Sequence, residues 1–152
     1  MKDLKKDEII PEEEILNFKK LKKIANSGIE KCICKICREV TIEGELKYKY
    51  GTGFLCNISE KNMKAFITNN HVIDKSFLDK EKILKIETEE EDKEINLELK
   101  RFKITNDDLD YTIIEIVEED NIKNFLNIDK YIHSKDYINE QIFSTQHPGE
   151  RD

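Results

Sequence analysis

A histidine and an acid, each at the edge of an apolar run, are the residues of this chain best suited to chemistry. His71 closes the run Ala65-Phe66-Ile67-Thr68-Asn69-Asn70 and is followed by Val72-Ile73. Asp110 opens a second run, Tyr111-Thr112-Ile113-Ile114-Glu115-Ile116. An imidazole can take a proton from an attacking hydroxyl because its ordinary pKa lies near neutrality. It does so best when a carboxylate fixes its tautomer and stabilises the imidazolium that forms. Asp107 and Asp108 are alternative acids, but neither directly precedes the apolar run. The plainer alternative is a histidine that ends a strand and an acid that begins a turn.

The sequence offers no evident nucleophile to accompany the pair. Its serines are Ser27, Ser59, Ser76, Ser134 and Ser144. Ser27 falls at an expected helix stop and Ser144 inside an expected strand. Cys56 adjoins Gly51-Thr52-Gly53-Phe54 and reads as a core residue. The two glycines of that segment mark backbone that bends or approaches another chain segment closely. They are no dinucleotide fingerprint, since neither a third glycine nor a helix follows. His133 lies in a polar segment, and His147 precedes Pro148, which biases its backbone to extended conformations; both are secondary candidates for a base.

Cys32-Ile33-Cys34-Lys35-Ile36-Cys37 is the remaining cluster of reactive types. Cys34 and Cys37 have the spacing of one zinc-binding pair, but a structural zinc site normally needs two such pairs. Cys32 and Cys34 project to one face of a strand, where a reduced cysteine behaves as a small apolar residue. Core cysteine is therefore the expectation, with neither metal nor cofactor.

The elements that must position these groups are mostly strands. Segments 30–38, 46–57, 63–69, 82–88, 94–104 and 110–117 are rich in Ile, Leu, Phe, Tyr or Thr and partly alternate. Glu94-Ile95-Asn96-Leu97-Glu98-Leu99-Lys100 alternates cleanly, as a strand with one wet face does. Glu89 to Lys93 reads as an exposed hairpin tip, and 120–127 as a short helix or a connection. Six strands in succession predict a mainly β fold, a six-stranded antiparallel β-barrel. A further strand at about 137–145 has no place in it. Before the barrel, Pro11, Glu12, Glu13 and Glu14 begin an amphipathic helix over 11–25, with Ile15, Phe18, Leu21 (or Lys22) and Ala25 on one face. Asn26-Ser27-Gly28 ends it.

Composition narrows the function classes. The 152 residues carry a net charge of −7, with 39% charged and 38% hydrophobic. Such a balance argues against a nucleic-acid partner, which selects a basic face. The lysines of 19–23 are offset by Glu12–Glu14 and suit a solvated helix face. No stretch is long and apolar enough for a membrane span, and the N-terminus lacks the apolar core of a signal peptide. With no export signal the four cysteines are expected to be reduced. The expected location is cytoplasmic, with no membrane partner.

Gly51-Thr52-Gly53-Phe54, then Phe66-Ile67-Thr68-Asn69-Asn70-His71-Val72-Ile73, then Asp110-Tyr111-Thr112-Ile113-Ile114-Glu115-Ile116 resemble the trypsin-like serine peptidase family. The likeness is to its intracellular and bacterial-type branches, where Thr-Asn-x-His-Val replaces Ala-Ala-His-Cys. His147-Pro148-Gly149 is similar to the segment that opens the second barrel of such proteins. The resemblance spans roughly residues 30–149. It implies peptide-bond hydrolysis, with His71 as general base and Asp110 as the orienting carboxylate. It also implies a Gly-x-Ser-Gly nucleophile segment in a second barrel, which this sequence does not show. The implied organisation is an N-terminal segment and helix (1–28), an N-terminal barrel (29–136) and the start of a truncated second barrel (137–152). The implied partners are a protein or peptide substrate and a chain or segment that supplies the other barrel. A catalytically inactive binding or regulatory module is the alternative.

Overall fold

The computed structural model describes residues 28–128. The helix expected over 11–25, His133, His147, Ser27, Ser134, Ser144 and the segment 137–152 lie outside the described residues.

Alternation of apolar and polar side chains builds one curled antiparallel sheet. Its strands are β1 (Ile33–Ile42), β2 (Glu45–Ile58), β3 (Met63–Thr68), β4 (Ile83–Glu87), β5 (Asp92–Asn96), β6 (Lys103–Asn106), β7 (Tyr111–Glu115) and β8 (Leu126–Asn127). The order across the sheet is β5-β4-β1-β2-β3-β7-β6, and the two-residue β8 pairs with β2 in parallel. A six-residue helix, α1 (Lys75–Lys80), follows β3. Asp74 starts it, its carboxylate accepting the Phe77 N–H at 2.8 Å. The mainly β expectation holds.

The sheet has eight strands where six were expected: one is the two-residue β8, and the other comes from a break at one residue. The segment 94–104 is two strands because Asn96 breaks it. The Asn96 side-chain oxygen accepts the Glu98 N–H at 3.0 Å, and its carbonyl accepts the Leu99 N–H at 3.3 Å. That local turn competes with the ladder for the same backbone donors. β5 then pairs with β4, and β6 with β7, so the two ends of the sheet are consecutive in the chain. The expected hairpin tip is present but shorter, since Asp92 and Lys93 already pair with β4; Thr88 is bonded across to Glu91, and Glu89, Glu90 and Glu91 are exposed. The segment 120–127, expected as a helix or a connection, is a connection ending in β8.

β1 and β2 run longer than their apolar content suggests. The turn Glu43-Gly44 takes left-handed angles at both residues, φ 53° and 82°. This matches the tight two-residue turn whose twist suits a hairpin. The ladder runs from Ile42↔Glu45 back to Ile33↔Phe54.

One face of the curl is the core. Cys34, Ile36, Leu55, Phe66, Leu84, Ile86, Ile95 and Ile114 are buried there, with Ile73 from the segment after β3. Each such aliphatic side chain contributes on the order of 1.5–3 kcal/mol by leaving water. Cys32, Cys34 and Cys56 are buried free thiols, as expected of core cysteines. Burial pushes the Cys34 thiol up to about 12 and the Cys56 thiol up to about 11. Both therefore stay protonated and inert at neutral pH. Among the described residues no group of three or more His, Cys, Asp or Glu side chains is placed to hold a metal ion. Nor is any helix among them long and apolar enough to cross a membrane.

Candidate functional site

The segment from Thr68 to Ile73 leaves β3 in a tight turn, with the N–H groups of Val72 and Ile73 both directed at the Asn69 carbonyl at 3.1 Å. The residues of the segment are then held by several neighbours. The Thr68 hydroxyl donates to the Thr52 carbonyl at 2.8 Å. The Asn70 amide donates to the Thr105 hydroxyl. The Ile73 carbonyl accepts the buried Thr112 hydroxyl at 2.6 Å. Val72 packs on Gly51, where an added Cβ would lie 2.4 Å from a Val72 methyl carbon. A Cβ on Gly53 would lie 2.3 Å from the Phe66 ring. The glycine pair is thus required by close approach, one of the two readings its sequence allowed.

Asp110 comes from the other side. It ends the loop Asp107–Asp110 that joins β6 to β7, and its φ is +50°. Aspartate tolerates this left-handed conformation better than most residues. The loop is supported by the Asn106 side chain, which accepts the Leu109 N–H at 2.8 Å. Pairing of β3 with β7 through Thr68↔Thr112 then puts the end of one strand beside the start of the other.

The result is a carboxylate that grips the histidine at two points. Asp110 Oδ1 accepts the His71 backbone N–H at 2.9 Å, and Oδ2 lies 2.7 Å from His71 Nδ1. Because an ionised carboxylate only accepts, Nδ1 carries a proton, and in the neutral imidazole Nε2 then keeps its lone pair. The Asn69 amide adds a third hold, donating to the Asp110 carbonyl at 3.1 Å and to Oδ2 at 3.2 Å. The His71 backbone N–H is the largest cause holding the Asp110 carboxyl below its ordinary pKa. Partial burial opposes it, while the imidazole and Asn69 assist. Neither Asp107 nor Asp108, both exposed, takes this place.

The pair stands open to solvent, the His71 side chain 72% exposed and that of Asp110 43%. Leu109, next to Asp110, is 73% exposed, the most exposed large apolar side chain among the described residues. Ser59 lies between β2 and β3 and Ser76 in α1; among the described residues the only side-chain partner of His71 is Asp110. A cleft of about 700 Å³ lies at the opposite end of β3 and β7, around Asn57, Asn62, Lys64 and Asn127. It contains neither His71 nor Asp110, and its lining offers no base with an orienting acid.

Sequence reasoning picked out His71 and Asp110 but missed Asn69, Asn70, Thr105 and Thr112. The signal was present for Asn69 alone, a polar residue two positions before the histidine where the apolar run breaks. Comparison with protein-family models, with curated proteins and with solved structures finds no match.

Proposed function

We propose that this chain carries the histidine and acid half of a trypsin-like serine endopeptidase. Residues 29–136 are its N-terminal barrel, and 137–152 begin the second. His71 takes the serine proton during attack and returns it to the leaving amine, and Asp110 fixes the tautomer that leaves Nε2 free. The observation that carries this reading is the two-point grip of Asp110 on the His71 N–H and Nδ1. The sheet order, with its two ends consecutive in the chain, and the close-approach glycines before the histidine support it.

The exposure of the pair supports a site completed by a second surface. An orienting carboxylate acts most strongly when shielded from water, and exposed Leu109 offers an apolar rim for that surface. The nucleophile and oxyanion donors come with the second barrel, in further polypeptide or in another chain. Substrates are proteins or peptides, and the reduced thiols suit a cytoplasmic location. A second reading, an inactive binding or regulatory module, is favoured by the lack of a serine or cysteine partner for His71 among the described residues.

The experiment is capture with a fluorophosphonate probe from cells that make this polypeptide. We expect a labelled serine in material continuous with, or bound to, residues 29–136, and no label when His71→Ala is carried. Absence of label with His71 intact sinks the endopeptidase reading in favour of the module. The purified 152-residue chain alone is expected to leave peptides uncut.

A further inference from the structure

Beyond Lys35↔Glu87 and Ile36↔Ile86, β1 and β4 part company. On the other flank β3 pairs with β2 only from Gly53 onward. Residues Cys37–Ile42 and Glu45–Tyr50 therefore project as a two-stranded ribbon beyond the sheet. In an antiparallel ladder alternate residues direct their backbone groups away from the partner strand. The tight turn makes Ile42↔Glu45 a bonded pair, so the groups of Cys37, Glu39 and Thr41 face outward, toward β4. Cys37 closes the short ladder with β4, next to Ile36↔Ile86; beyond it, among the described residues, Glu39 and Thr41 belong to no ladder on that side.

That edge, unpaired among the described residues, borders a cleft of about 590 Å³ between the ribbon, α1 and β4. Its apolar lining includes Leu46, Tyr48 and Ile83, exposed by 59%, 52% and 45%. Glu39, Glu81 and Glu87 also line it, and among the described residues none of them has an ion-pair partner. The cations of the lining are already engaged: Arg38 lies 3.9 Å from Asp74, and Lys85 lies 4.0 Å from Glu94.

We propose that the outer edge of β1 is a docking site for an extended, basic segment of a partner protein. The segment adds a strand to the ribbon at Glu39 and Thr41. Its apolar side chains settle on Leu46, Tyr48 and Ile83, and its lysines or arginines meet Glu39, Glu81 and Glu87. Backbone pairing supplies affinity, and the alternating side chains supply selectivity. This surface is separate from the His71–Asp110 pair and does not depend on the peptidase reading.

The test uses the full chain and a nine-residue blocked peptide of alternating valine and lysine. A control peptide carries N-methyl groups on alternate amides, which keeps charge and apolar area but abolishes strand pairing. We expect saturable binding of the first peptide and slowed amide exchange at Glu39 and Thr41. The control, Thr41→Pro and the double variant Glu39→Lys with Glu81→Lys should each weaken binding by about tenfold or more. His71→Ala should bind like the parent, which separates this surface from the catalytic proposal. Thr41→Pro removes only an outward N–H, and the charge reversal serves if that variant folds poorly. Equal binding of the N-methylated control overturns the proposal, as does unchanged exchange at the edge. So does edge protection that rises with protein concentration alone, which would mark a second copy as the occupant.

Discussion

Two aspartates of this molecule are gripped in the same way and left in opposite surroundings. Asp110 accepts a backbone N–H and the Nδ1 proton of His71, with side-chain exposures of 72% for the histidine and 43% for the acid. Asp120 accepts the Val117 N–H at 2.9 Å and a two-pronged bond from Arg101, at 2.8 and 3.0 Å. There the exposures are 0% for Arg101 and 2% for Asp120. Arg101 also donates to the carbonyls of Asn96 and Glu115, joining the turn after β5 to the end of β7. The sealed pair ties the end of β5 to the end of β7. The open pair fastens little, and its basic nitrogen remains accessible. Burial, rather than bonding pattern, separates a structural clamp from a chemical one.

The largest effect that would break this contrast is loss of the clamp. Arg101→Met leaves the Asp120 carboxylate buried without its cation and should cost about 3–5 kcal/mol in denaturant unfolding. Adding Asp120→Leu should restore much of that loss, since an apolar pair removes the stranded charge. A single-variant loss within surface-mutation range would show that the clamp is not what ties β5 to β7. By contrast, Asp110→Asn should leave the unfolding midpoint close to the parent's. It should redistribute the imidazole tautomers, read from the nitrogen shifts of His71. A midpoint falling as far as that of Arg101→Met would erase the distinction.

A smaller effect follows from pH. The folded-state pKa of Asp110 lies below its ordinary value. Its stabilising contribution is therefore complete above the unfolded pKa and disappears as pH falls through the folded one. The stability difference between parent and Asp110→Asn should be flat from neutrality down to about pH 5 and shrink below about pH 4. Shrinkage beginning near neutrality would contradict the sign. The smallest change is Asn69→Ala, which removes one hold on Asp110 and leaves the histidine grip. The carboxyl midpoint, followed by carbon NMR, should rise toward the ordinary value, and an unmoved midpoint would remove Asn69 from the site.

How much of this was readable in advance depends on the range of the interaction. Alternation revealed most strands, because Cys34, Ile36, Leu84 and Ile86 report burial every second residue. The glycine pair was readable as a close approach, although its neighbours Val72 and Phe66 were not. The same alternation misled at Glu94–Lys100, where the Asn96 turn outweighs a pattern that continues through Leu97 and Leu99. The ribbon was cut short because Glu43 is an unusual choice for a left-handed turn position. Arg101 and Asp120 gave no signal at all. Nothing in a lone arginine among charged neighbours tells that it will be sealed against an acid from another segment. α1 was overlooked although Asp74-Lys75-Ser76-Phe77 carries the cap that starts it.

The antiparallel contact of β3 with β7 has a consequence for the order of assembly. It joins His71 to Asp110 across 39 residues and encloses β4, β5 and β6 within the loop it closes. Contacts of such sequence separation form slowly, after local hairpins such as β1–β2 and β4–β5 have closed. The proton between Nδ1 and the carboxylate is therefore a clock for the end of folding. Its resonance should emerge in refolding only once amides of the β3–β7 ladder have become protected.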